Sequence, residues 1–125
     1  MKKVFAPILV SVLMVLGAFG DEAPKEIESK SNDLFFATWT QNHELFNSHC
    51  DRAMKDSMTA KKFAELSKKI SPFMVLGAEN EFMGVLKKGT LKVYYWKTTF
   101  SREGVPDMLT ELTMNGDKVA AFDFR

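Results

Sequence analysis

The chain has 125 residues, with 17 basic against 16 acidic side chains and a net charge of +1 at neutral pH. The lysines and arginines are spread along the sequence, which excludes the clustered basic footprint of a nucleic-acid binder or of a protein held on anionic lipid. A single cysteine, Cys50, excludes an internal disulfide, so the fold has to be held by its core alone.

Residues 1–20 have the three regions of an export signal. Lys2 and Lys3 form a positive start, Val4 to Leu16 is an apolar run interrupted only by Pro7 and Ser11, and Ala18-Phe19-Gly20 supplies small residues for a peptidase. The run is too short for a spanning helix, which needs about 20 apolar residues. Lipidation would need a cysteine at the cut, and Cys50 is far from it. Cleavage after Gly20 is expected, giving a periplasmic or secreted protein with no stable membrane insertion. Its charge falls to −1, because the leader holds two basic residues and no acidic one.

Asp21 to Lys30 is polar and lacks apolar periodicity, which predicts a flexible linker before a single domain over residues 31–125. Ser31, Asn32 and Asp33 are helix-capping residues. Leu34, Phe35, Thr38, Trp39, Asn42 and Phe46 follow at intervals of three and four, an amphipathic helix. A break near Asn42-His43 is expected, after which Leu45, Phe46, Cys50, Ala53 and Met54 continue the helical spacing to Ser57. Thr59 predicts the cap of a further helix, with Phe63, Leu66 and Ile70 inward and Lys61, Lys62, Glu65, Lys68 and Lys69 outward. Pro72 and Gly77 close the helical half.

Beyond Gly77 the hydrophobic period shortens from about 3.6 to 2. Three or four antiparallel strands are predicted, at Ala78–Leu86, Leu91–Phe100, Asp107–Met114 and Lys118–Phe124. The joints fall at Lys87–Gly89, Ser101–Pro106 and Asn115–Asp117. Pairing Phe100 with Met108 sets Thr98 opposite Thr110, Trp96 opposite Leu112 and Tyr94 opposite Met114 on a core face, and Lys97 opposite Glu111 on the other. A three-residue loop at Asn115–Asp117 aligns Ala120, Phe122 and Phe124 with that core face. A two-residue Asn-Gly turn would send Asp123 and Arg125 into it, at several kcal/mol each.

These segments predict an α+β domain, with N-terminal helices packed on one face of a curved, mostly antiparallel sheet of three or four strands. Thr98-Thr99-Phe100, Asn115-Gly116-Asp117 and Phe122-Asp123-Phe124-Arg125 resemble the C-terminal hairpins of small exported bacterial domains of the nuclear transport factor 2-like (cystatin-like α+β) superfamily. The resemblance covers Leu91–Arg125, and the helical half agrees in layout. It implies a cone-shaped fold that serves enzymes, binding domains and dimerisation modules alike.

His43, His49 and Cys50 are the soft ligands of the domain. His43 and His49 are six apart, about 240° around a helix, whereas helical histidine pairs use a spacing of four. Cys50 shares an apolar stripe with Phe46 and Met54. No metal and no cofactor is expected. By the resemblance, an isomerase-like or dehydratase-like site would lie inside the cone, yet the predicted core face carries Tyr94, Trp96, Thr98 and Thr110 and no carboxylate or imidazole. Six methionines beyond the leader and many aromatics suit an apolar pocket, with Trp39, Tyr94, Trp96, Met108, Leu112 and Phe122 as candidate lining. The far face, with Val93, Tyr95, Lys97, Leu109 and Glu111, alternates less cleanly than a solvated face and is a candidate interface for a homodimer or an exported protein partner. The expectation is a non-catalytic domain acting by ligand binding or association. The alternative is a small lyase or isomerase inside the cone.

Overall fold

The computed structural model describes residues 22–125. The export signal read at residues 1–20 lies outside the described residues.

Helix α1 (Lys25–Thr40) begins six residues before the expected start of the domain, so most of the segment read as a linker is helical. Ile27 is the cause. It is buried, and it lies one turn before Ser31 and two before Leu34 on the stripe that continues through Phe35 and Thr38. The Pro24 carbonyl accepts from the backbone of Ile27 and Glu28, while Glu26 and Glu28 complement the first turn. The helix stops at Gln41, which is left-handed at φ 61°.

The expected second helix is two. Helix α2 (His43–Ser48) is capped by the Asn42 side chain, 3.0 Å from the Leu45 nitrogen, and α3 (Arg52–Ser57) by Asp51, 2.8 Å from the Met54 nitrogen. Asp51 forces the break, because a capping residue takes extended backbone (here ψ 176°) and cannot continue a helix. The realigned chain buries Met54 and leaves Ala53 exposed. Helix α4 (Ala60–Ile70) follows expectation: Thr59 caps it, and Phe63, Leu66 and Ile70 are buried. Ser67, also buried, donates to the Thr38 carbonyl at 2.8 Å and ties α4 to α1. A 3-10 turn (Ser71–Phe73) and Gly77 at φ 92° lead into the sheet.

Strands β1 (Ala78–Lys88), β2 (Leu91–Phe100), β3 (Met108–Asn115) and β4 (Lys118–Phe124) form a curved antiparallel sheet in the order β1-β2-β3-β4. The architecture is therefore α+β, with the helices on one face. Leu34, Phe46, Ile70, Leu112, Val119 and Phe124 are the most deeply buried members of one continuous core. Phe35 meets Phe124 edge-on at 5.6 Å, and Phe46 meets Phe122 at 6.0 Å.

Two registers differ from expectation. Strand β2 is displaced two residues against β3: Thr98 faces Met108, Trp96 faces Thr110, Tyr94 faces Leu112, and Tyr95 rather than Lys97 faces Glu111. Phe100 runs past the end of β3 and pairs with Ala78 instead. The long connection through Ser101–Asp107 does not pin register as a tight hairpin would. A shift of two preserves the faces, so the core assignment of Tyr94, Trp96 and Thr98 stands.

The last hairpin turns on two residues, Gly116 and Asp117, not three. Asn115 pairs with Lys118, and Gly116 takes φ 63° where a primed hairpin turn wants glycine. A bulge then absorbs Ala120, between the pairs Met114–Val119 and Thr113–Ala121. Val119 takes the core position expected for Ala120. Phe122 and Phe124 still point inward, opposite Leu112 and Thr110. The first hairpin is equally tight, with Gly89 at φ 64° between Lys88 and Leu91.

The two edges of the sheet are unlike. At β4, Val119 donates to the His49 carbonyl and accepts from the Asp51 nitrogen, both at 2.8 Å, in a parallel bridge centred on Cys50. Among the described residues, strand β1 has β2 as its extensive neighbour and no comparable cover.

Candidate functional site

Besides the helix-side hydroxyls of Ser31, Thr38 and Ser67, the core holds a short chain of hydroxyls on the sheet. Thr98, fully buried, donates to Asn80 Oδ1 at 2.6 Å, so its contact with Thr110 has Thr110 as donor. The chain runs Thr110 to Thr98 to Asn80, and Asn80 is exposed. It satisfies the buried hydroxyls and contains no group that titrates near neutral pH.

The main opening lies where α1 begins and where the β1–β2 hairpin extends beyond the helices. A cavity of about 790 Å³ is bounded by Phe82, Val85, Leu86 and Tyr94, with Pro24 above and Glu22, Lys87 and Lys92 at its margin. A second cavity of about 470 Å³ shares Pro24, Lys92 and Tyr94 with the first and reaches Ile27, Lys30 and Met114. Together they form one cleft along the start of α1. Its aromatic wall is packed from three rings: Phe82 lies 5.5 Å from Trp96 and 6.4 Å from Tyr94. Local sequence explains the opening, because the bulge at Met83, between the pairs Phe82–Trp96 and Gly84–Tyr95, brings Val85 onto the cavity face.

Lys87 and Lys92 are direct cross-strand partners on this face. Opposed like charges destabilise a strand pair. Here they stand beside an apolar wall.

Of the expected pocket residues, Tyr94 lines this cleft. Trp96, Leu112 and Phe122 are buried in the core, and Met108 packs half-buried against it. Trp39 lies elsewhere: it is 41% exposed on the outer side of α1, edge-on to Phe36, one residue beyond the Thr38 stripe. Phe82, Val85, Lys87 and Lys92 were not expected in the site. Lys92 has the alternation of Tyr94 and Trp96, a signal legible in sequence once the core face is fixed.

A third cavity of about 440 Å³ lies where α3 and α4 meet β4, against Met54, Met58, Leu66 and Phe122. Within its lining, Lys69 pairs with Asp123 at 2.7 Å and Arg125 with Glu111.

On the far sheet face, Val93 is only 4% exposed, between Leu86 and Thr113. Tyr95 and Leu109 are half-buried. The expected Lys97–Glu111 pair is absent: Lys97 meets Glu81 at 3.4 Å across β1, and Glu111 meets Arg125.

His43 Nε2 lies 2.8 Å from the Met58 carbonyl, and its ring stacks on Phe63 at 4.7 Å. His49 Nε2 lies 2.9 Å from Asp33. Each imidazole thus joins two helical segments. The Cys50 thiol donates to the Phe46 carbonyl, and burial, reinforced by the Asp51 carboxylate, pushes it up to about 12. A thiol so held stays protonated and is no nucleophile at neutral pH. Among the described residues, no three His, Cys, Asp or Glu side chains converge as a metal site. No helix there is long and apolar enough to cross a membrane.

These features define a small α+β domain with an aromatic-walled cleft at one end of its sheet. The sequence matches no protein-family model and no curated protein. Among solved structures it is similar to an uncharacterized cystatin fold protein from Novosphingobium aromaticivorans, at 12% identity and a TM-score of 0.42, over 78% of this chain and 95% of that one.

Proposed function

We propose that this is an exported, non-catalytic domain of the nuclear transport factor 2-like (cystatin-like α+β) superfamily that binds an amphipathic ligand, apolar in its body and anionic at one end. The observation that carries the reading is the Lys87–Lys92 pair opposed at the margin of the Phe82–Tyr94 cleft. An anion between the two ammonium groups relieves their repulsion, and an apolar chain gains by displacing water from Phe82, Val85 and Tyr94. The leader at residues 1–20 supports export.

The isomerase-like alternative has less behind it. Polar groups beside Trp96 and Tyr94 are the Thr110–Thr98–Asn80 chain, and the carboxylates Glu22, Glu26 and Asp117 stand exposed at the outer margin of the cleft. Association through the far face around Tyr95 has lost Val93 as a contact.

Dansyl-undecanoate, an apolar fluorophore with a terminal carboxylate, tests the proposal. The protein should enhance its emission, and Lys92→Glu and Val85→Asp should each weaken binding at least about tenfold. Equal binding by Lys92→Glu, or no binding by the parent protein, refutes it.

A further inference from the structure

Strand β1 is 11 residues long, and among the described residues only β2 pairs with it extensively, which leaves its outer edge unpaired. It carries three of the large apolar side chains left open on the domain: Met83 is 59% exposed, Val85 47% and Leu86 53%. Unpaired edges of this length, roughly 35 Å, template strand addition unless something blunts them. The opposite edge, at β4, is capped by the His49–Asp51 segment. The described residues therefore bridge one edge, at Val119, and leave the other unpaired.

The charges along β1 are segregated. Glu79 and Glu81 lie in its first half, Lys87 and Lys88 in its second. An antiparallel copy sets acidic half against basic half. The Met83 bulge selects the register, because it shifts the alternation of faces by one between the two halves. With the two-fold centred on Met83-Gly84, faces agree on both sides of the centre. Glu79 then stands opposite Lys88 of the second copy, Asn80 opposite Lys87, Glu81 opposite Leu86 and Phe82 opposite Val85.

We infer that two copies of this chain join β1 to β1, antiparallel, into a continuous eight-stranded sheet. The two-fold runs perpendicular to the sheet, so the helices and clefts of both copies lie on the same side. The Phe82–Val85 contact closes the flank of each cleft that is open in the single chain. The inference rests on the edge and its charges, independently of any ligand.

Sedimentation velocity of the protein purified after expression of the full chain tests it, at tens of micromolar. The parent should sediment as a dimer. Lys88→Glu and Glu79→Lys each convert both inter-chain pairs from attraction to repulsion, and each should raise the dissociation constant about tenfold or more. Both residues are exposed, and the near-ultraviolet circular dichroism of buried Trp96 should report an unchanged fold. Mixed together, the two variants should form a one-to-one heterodimer, since every pair is then Glu against Lys. A monomeric parent overturns the inference and makes the bulge and the lysines devices that blunt the edge. A dimer indifferent to both substitutions, or variants that stay monomeric on mixing, overturns it equally.

Discussion

Strand β4 carries one residue more than its ladder needs. Deleting Ala120 joins Val119 to Ala121 and leaves Met114–Val119, Thr113–Ala121 and Leu112–Phe122 as a continuous series, with the inward and outward residues unchanged. The loss is one half-buried methyl group, offset by removal of the bulge, so stability should change by no more than about 1 kcal/mol. Inserting an alanine between Ala121 and Phe122 does the reverse. Phe122 and Phe124, at 3% and 2% exposure, would turn outward, and Asp123 would turn into the core away from Lys69. Transfer of the two rings alone costs about 5 kcal/mol, and the buried carboxylate adds several more, which together rival the whole net stability of a small domain. Urea unfolding followed by tryptophan fluorescence distinguishes the two variants. A deletion variant that fails to fold, or an insertion variant that unfolds with the parent, refutes this account of the bulge.

Alkaline titration should unfold the protein partly through Cys50. Its thiol is raised from an ordinary 9.0 to about 12 in the folded state, so its contribution is fully present below pH 9 and is lost as pH rises to 12. The slope is about 1.4 kcal/mol per pH unit. Cys50→Ala should unfold with a measurably shallower dependence over that window in urea titrations, and an identical dependence would contradict the assignment. Thr98→Val leaves the Thr110 hydroxyl without its acceptor and should cost about 1–3 kcal/mol, whereas Thr98→Val with Thr110→Val should cost less than the single change. Chemical denaturation of the double-mutant cycle reads this directly. Mass spectrometry of the protein recovered from the exported fraction should give Asp21 as its first residue.

Helix α4 was legible because cap and stripe agree: Thr59 precedes Phe63, Leu66 and Ile70 at helical spacing. Strands β2 and β4 were legible because turn residues precede them and β-branched and aromatic residues fill them. The β2–β3 register was not, since period-two alternation is blind to a slip of two residues and the Ser101–Asp107 connection is too long to fix it. Nor was the bulge, because Ala120 and Ala121 are interchangeable by polarity and only contact with His49 and Asp51 assigns the neighbouring Val119 its place. The cleft was half visible. Tyr94 followed from alternation, but its roof depends on Pro24 and Ile27, where a lone apolar residue among charges carries no period of its own. Lys92 shares the alternation of Tyr94 and Trp96, and Lys87 falls in the expected Lys87–Gly89 joint; neither is marked as a cleft residue in sequence, because alternation does not show where the helical layer ends.

The bridge between Val119 and His49–Asp51 sets the order in which the molecule can be finished. It joins the neighbourhood of Cys50 to Val119, and the same strand supplies Val119, Phe122 and Phe124 to the centre of the core. Closing a contact over some seventy residues has to wait until both ends are present. The junction between α2 and α3 takes its final place only when β4 is in the sheet, so the seating of that junction and the pairing of that strand belong to one cooperative step.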